Sequence, residues 1–139
     1  MNDRGNVVKK AMNKKAINTT EAPRPGGPYS QGIMSNGLLF TAGFGPQEPV
    51  TGKIAEGIQQ QTRQVMLNIQ AVLRDAGVGL DDIIKTTVHL QDLRRDFAEF
   101  NAVYSAHFSE PYPVRTTVGS NLYDILVEID VVAVLPVES

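Results

Sequence analysis

A chain of 139 residues holds one domain built around one hydrophobic core. Its formal net charge of -2 lacks the basic surplus that phosphate-binding proteins carry, which counts against nucleic acid as a partner. Cysteine is absent, which excludes disulfides, thiolate nucleophiles and cysteine-based zinc sites. No apolar run approaches the roughly 18–20 residues that span a bilayer, so no membrane partner is expected. Residues 1–12 are polar, carry Arg4, Lys9 and Lys10, and lack the apolar core of a secretory signal. They read as a flexible extension ahead of a single domain at 13–139, and the cytoplasm is the expected location.

In chain order, residues 13–18 suit a short edge strand. The stretch Ala22-Pro-Arg-Pro-Gly-Gly-Pro28 is a loop by composition. Strands are expected at 30–34 and 38–43, joined by Ser35-Asn36-Gly37, since Asn-Gly supplies the positive φ of a tight hairpin. The clearest helix follows Gly57, with Ile58, Val65, Met66, Ile69, Val72 and Leu73 on one face and Gly77 as its left-handed C-cap. Residues 84–91 read as a strand with Thr86, Val88 and Leu90 on one side. A second helix is expected at 96–108, its stripe of Phe97, Phe100, Tyr104 and Phe108 facing the core, with Pro111 and Pro113 blocking its continuation. Strands at 114–118 and 125–135 close the chain around a turn at 119–124. The expected architecture is α+β: a mostly antiparallel sheet of about six strands with two helices packed on one face.

The last strand poses a chemical question. Glu128 and Asp130 lie on one side of an otherwise apolar run, and ionised acids there need partners. If the last two strands form a hairpin with its turn centred between Asn121 and Leu122, Arg115 stands opposite Glu128 and Thr117 opposite Leu126. Such a pair could be a cross-strand ion pair contributing roughly 0.2–1 kcal/mol. Alternatively, the guanidinium is a fork for a substrate carboxylate, leaving the acid to hold a water molecule. Spacing alone does not choose between them. His89 and His107 have no third ligand near them in sequence, so no metal is expected. Neither glycine-rich phosphate-loop pattern occurs.

Five segments occur in a distinctive order: Gly27-Pro-Tyr-Ser-Gln-Gly32, Leu39-Phe-Thr-Ala-Gly43, Ile84-Lys-Thr-Thr-Val88, Phe100-Asn-Ala-Val-Tyr104, and Pro113-Val-Arg-Thr-Thr-Val118 with Leu126-Val-Glu-Ile-Asp130. Together they resemble the reactive intermediate/imine deaminase (RidA) family over about residues 14–135. The resemblance implies a chorismate-mutase-like fold and homotrimers whose sites lie between subunits. It further implies cofactor-free hydrolysis of 2-imino acids, formed from enamines such as 2-aminoacrylate, to 2-keto acids and ammonia. Arg115 matches the family's carboxylate-binding arginine and Glu128 the acid that positions water. Tyr29 matches a tyrosine of the cleft wall, Asn101 a site asparagine, and Gly43 a glycine whose backbone lines the pocket.

The chain departs from the best-known branch at Ala42 (often serine), Phe44 (often glutamine) and Thr117 (cysteine there), and its 119–124 turn is shorter. Phe44 and Thr117 are therefore expected to reshape the substrate pocket. Two other readings remain: a non-catalytic trimer that binds small carboxylates as a sensor, and a ribonuclease, which the acidic balance opposes.

Overall fold

Asn36 and Gly37 adopt φ of 53° and 79°, the paired positive angles of a two-residue hairpin turn. They join strands β2 (Gly32–Ser35) and β3 (Leu38–Thr41), preceded by β1 (Lys15–Ile17). These belong to a computed structural model that describes residues 13–137; the extension expected at 1–12 lies outside the described residues. The chain continues through α1 (Ile58–Asp75), β4 (Ile83–Leu90), α2 (Leu93–Ser105), β5 (Val114–Gly119) and β6 (Val127–Val134). Helix α1 ends as its sequence predicts. Gly77, at φ 79°, donates from its N–H to Arg74 O, and Val78 N–H bonds Leu73 O, the paired bonds of a Schellman cap. Helix α2 begins earlier than its aromatic stripe suggests because the Asp92 carboxylate accepts from Arg95 N at 3.1 Å and caps it.

The six strands form one sheet in the order β1-β2-β3-β6-β4-β5, and four of its five pairings are antiparallel. The α+β expectation of about six mostly antiparallel strands and two helices matches this architecture. On β6, Val127, Ile129, Val131 and Ala133 are buried toward the helices, whereas Glu128, Asp130 and Val132 lie on the other side. The core joins that inner row to Val65, Met66, Ile69, Val72 and Leu73 of α1 and to Phe100 and Tyr104 of α2. Phe97 does not belong to it: it is 38% exposed, and its ring lies near the Arg115 guanidinium. No helix among the described residues is long and apolar enough to cross a membrane.

One expectation is overturned. β5 and β6 do not form a hairpin. β4, α2 and β5 form a crossover, so β5 runs parallel to β4, and β6 inserts between β3 and β4. The burial patterns explain the outcome. Every second residue of β6 from Val127 to Ala133 is sealed, as a central strand requires, while no residue of β5 is fully buried, which suits an edge.

Candidate functional site

Arg115 is paired in register with Thr86 of β4, and Thr86 with Val131 of β6, so its side chain rises on the helix side of the sheet. There its Nη1 donates to Asn101 Oδ1 at 2.8 Å. The guanidinium carbon lies 4.7 Å from the centre of the Tyr104 ring, 5.8 Å from Phe97 and 5.9 Å from Phe100. Three rings and an amide thus fix the orientation of a planar cation. Tyr104 is itself anchored, with its hydroxyl 2.8 Å from Thr86 Oγ1. Burial pushes its phenol up, against the opposing pulls of the Thr86 bond and the nearby Arg115 charge. Thr117, two residues along the same edge strand, is half-buried on the same side. Arg115 takes part in no ion pair among the described residues. Its remaining donors are available to an anion.

Glu128 is elsewhere. It pairs with His89 in register, which places it on the face away from the helices with β4 between it and β5. The hairpin that would bring Arg115 and Glu128 side by side does not exist, and within one chain the two diverge to opposite faces of the sheet.

What surrounds Glu128 is a built hollow. Between the pairs Phe40–Val132 and Phe44–Ile129, one strand has three residues (Thr41, Ala42, Gly43) and the other two (Asp130, Val131). This is a β-bulge. Thr41 Oγ1 accepts the Val131 N–H at 3.0 Å in the interrupted ladder. The bulge presses Gly43 onto the acid: a Cβ at Gly43 would stand 2.5 Å from Glu128 Oε2. Only glycine permits that approach. Tyr29, Gly43 and Glu128 line a common hollow of about 670 Å³ together with Phe40 and Ala42. A neighbouring hollow of about 330 Å³ shares Tyr29 and Gly43. Tyr29 is 54% exposed, and its hydroxyl accepts from Gly26 N at 3.0 Å, which turns the ring back onto its own loop.

Phe44 borders both a hollow and the core. It touches the smaller hollow, yet it is only 5% exposed, belongs to the hydrophobic core and pairs through its backbone with Ile129. Its ring fills the core, so its first role is packing.

Two supporting residues escaped the sequence reading. Gln31, buried beside the hairpin, accepts from Thr19 N and donates to the carbonyls of Thr19, Ala22 and Pro23, clamping the proline-glycine loop that leads to Tyr29. Asn68, buried on α1, donates to Gly45 O and Gln47 O and so fixes the segment after the bulge. The available signal was a polar residue three positions after Val65, next to the apolar Ile69 on the buried face.

A family model described as "Endoribonuclease L-PSP" matches residues 19–135. The chain belongs to this family, the RidA family. A 2-iminobutanoate/2-iminopropanoate deaminase from Salmonella typhimurium is 40% identical over 125 residues, covering 86% of this chain and 97% of that protein. A RutC family protein from Pyrococcus horikoshii is 47% identical over 123 residues, covering 86% and 97%. Among solved structures, E. coli TdcF with bound serine is 39% identical with a TM-score of 0.82, covering 88% of this chain and 100% of that one. In this RidA-family chain the residues singled out by sequence thus fall into two groups. Arg115 and Thr117 of β5 stand under α2, which contributes Asn101, and Tyr29, Gly43 and Glu128 stand around the bulge.

Two outcomes follow from this geometry. Asn101→Ala removes a hydrogen bond to a charged partner, an interaction contributing about 1.5–3 kcal/mol. It is expected to lower the melting temperature by several degrees and, by freeing the guanidinium from its fixed orientation, to weaken binding of a small carboxylate, both read from purified protein. Asp130 gives a pH test. Its burial holds the carboxyl above the usual range, against opposing pulls from His89 and Lys85. The folded chain therefore binds that proton more tightly than the unfolded chain. The resulting stability is complete below the ordinary value of 3.8 and declines as pH rises through the folded one. Asp130→Asn is expected to melt higher than wild type at about pH 7 and equally at about pH 3, by calorimetry.

Proposed function

We propose that the chain is a hydrolytic deaminase that converts small 2-imino acids to 2-keto acids and ammonia without a cofactor. It acts as a homotrimer whose sites combine Arg115, Asn101 and Thr117 of one protomer with Tyr29, Gly43 and Glu128 of the next. The observation that carries this reading is Arg115: a guanidinium held by three rings and an amide, with no carboxylate of the described chain upon it. Such a fork suits an α-carboxylate. The 40% identical deaminase and the serine-bound relative support a ligand of that size and charge.

The sheet offers a surface for assembly. The face away from the helices exposes Phe40, Ile84, Val114, Val118 and Val134 around Glu128 and Asp130. Packing sheet against sheet covers that apolar surface, and a cyclic arrangement lets one chain's edge strand meet the next chain's bulge.

The chemistry needs little beyond placement. The iminium carbon is already electrophilic. Arg115 fixes the carboxylate, which removes much of the entropic cost of the encounter. Glu128 orients a water molecule and takes its proton as the oxygen bonds to carbon. Glu128 returns that proton to the nitrogen of the tetrahedral adduct; as the carbon–nitrogen bond breaks and ammonia leaves, the adduct's hydroxyl gives its proton back to Glu128 and becomes the keto-acid carbonyl.

A non-catalytic carboxylate binder needs only the Arg115–Asn101 group, which is complete within one chain. The deciding experiment generates imines in situ from several amino acids with an amino-acid oxidase and follows keto-acid release through lactate dehydrogenase. Accelerated release supports the deaminase. Binding of keto acids without acceleration supports the alternative.

A further inference from the structure

The smaller hollow beside the bulge plays no part in the proposed chemistry. It is a cavity of about 330 Å³ that shares Tyr29 and Gly43 with the hollow of Glu128. Its walls are two braced loops: Gln31 clamps the proline-glycine loop, and Asn68 fixes the segment after the bulge. Gln47 lines the cavity in a defined pose. A Cβ at Gly45 would stand 2.6 Å from Gln47 Oε1, so the amide lies in space that only glycine leaves open. The Gln47 backbone carbonyl accepts from Asn68, but its side-chain amide has no hydrogen-bond partner among the described residues. One acceptor and two donors therefore stand open at the cavity wall.

Two opposite charges border the same space. Arg24 lines it and takes part in no ion pair among the described residues. Glu48 lines it too, its Oε1 accepting from Val50 N, Thr51 N and Thr51 Oγ1. An anionic group in the cavity is opposed by Glu48 and a cationic one by Arg24, so a neutral polar group fits best. A primary carboxamide both donates and accepts, which is what the Gln47 amide lacks.

We propose that this cavity is a side-chain subsite of the proposed site, selecting 2-imino acids whose side chain ends in a neutral carboxamide. The catalytic part rests on the deaminase reading; the binding part does not. With its carboxylate on Arg115 of the neighbouring protomer and its reacting carbon beside Glu128 and Gly43, the substrate sends its side chain past Tyr29 to Gln47.

The test is calorimetric titration of the full-length protein with L-glutamine, L-norleucine and L-glutamate, which carry the α-carboxylate but are not imines. L-Glutamine is expected to bind at least about tenfold more tightly than L-norleucine, and more tightly than L-glutamate. In Gln47→Met the advantage over norleucine falls to within about twofold; Gln47→Leu serves if that variant does not fold. Arg115→Ala weakens all three. Equal binding of glutamine and norleucine by wild type, no binding of any of the three, or a preference for glutamate overturns the proposal. So does a glutamine advantage that survives both Gln47 variants, or glutamine binding indifferent to Arg115→Ala. The alanine-derived imine supplies the control, its hydrolysis staying within about twofold of wild type in Gln47→Met. Hydrolysis of that imine without a glutamine advantage strikes the subsite and leaves the deaminase. A Gln47-dependent glutamine advantage without hydrolysis of any imine strikes the deaminase and leaves the carboxamide subsite.

Discussion

Replacing Arg115 with alanine is expected to lower kcat/KM for imine hydrolysis by between about 30-fold and about 5,000-fold. That range corresponds to the roughly 2–5 kcal/mol lost when one partner of a desolvated charge pair is truncated. The change removes the guanidinium and leaves Asn101 Oδ1 without its partner. Arg115→Lys is expected to fall between wild type and alanine. A lysine keeps the charge but loses the planar fork that stacks on Tyr104. Steady-state kinetics in the coupled assay checks both variants. An alanine variant with wild-type kcat/KM would remove Arg115 from the mechanism.

The second large effect concerns the acid on the other face of the sheet. Glu128→Gln keeps the shape of the side chain but cannot accept a proton, and is expected to lower kcat about 10²- to 10⁴-fold with KM little changed. Gly43→Ala reaches the same carboxylate from the backbone. The added methyl would lie 2.5 Å from Oε2 and 2.8 Å from Cδ, so the acid must swing away from the bulge. Its kcat is expected to fall with Glu128 chemically intact, and a crystal structure of the variant should show the carboxylate displaced.

Much of this molecule was legible in its sequence because its local signals agree with its packing. Asn36-Gly37 turns the hairpin it predicts, Gly77 caps α1 as expected, and Ile58, Val65, Met66, Ile69, Val72 and Leu73 of α1 are all buried. The site residues came from motif order, and Asn101 does stand against Arg115 while Gly43 does stand against Glu128. Strand pairing was not legible. Alternation tells which side of a strand each residue takes, but nothing in residues 114–134 states that β6 pairs with β3 and β4 and not with β5. Sequence proximity favoured a hairpin; the crossover through α2 and the fully sealed inner row of β6 decided otherwise. The core packing of Phe44 was hidden for a related reason. The residue after the bulge returns to the sheet, so its ring enters the core while Gly43 remains at the hollow.

That corrected pairing makes the two-protomer site the central claim. Because Arg115 and Glu128 diverge within one chain, the account requires them to meet across an interface. The most direct measurement denatures Arg115→Ala and Glu128→Gln proteins, each inactive alone, then mixes them equally, refolds them and assays imine hydrolysis. Random trimers are mixed about three times in four and each mixed trimer holds one intact site of three, so about a quarter of wild-type activity should return. If refolded wild type regains its activity while the refolded mixture stays as inactive as its parents, the two residues do not meet across protomers.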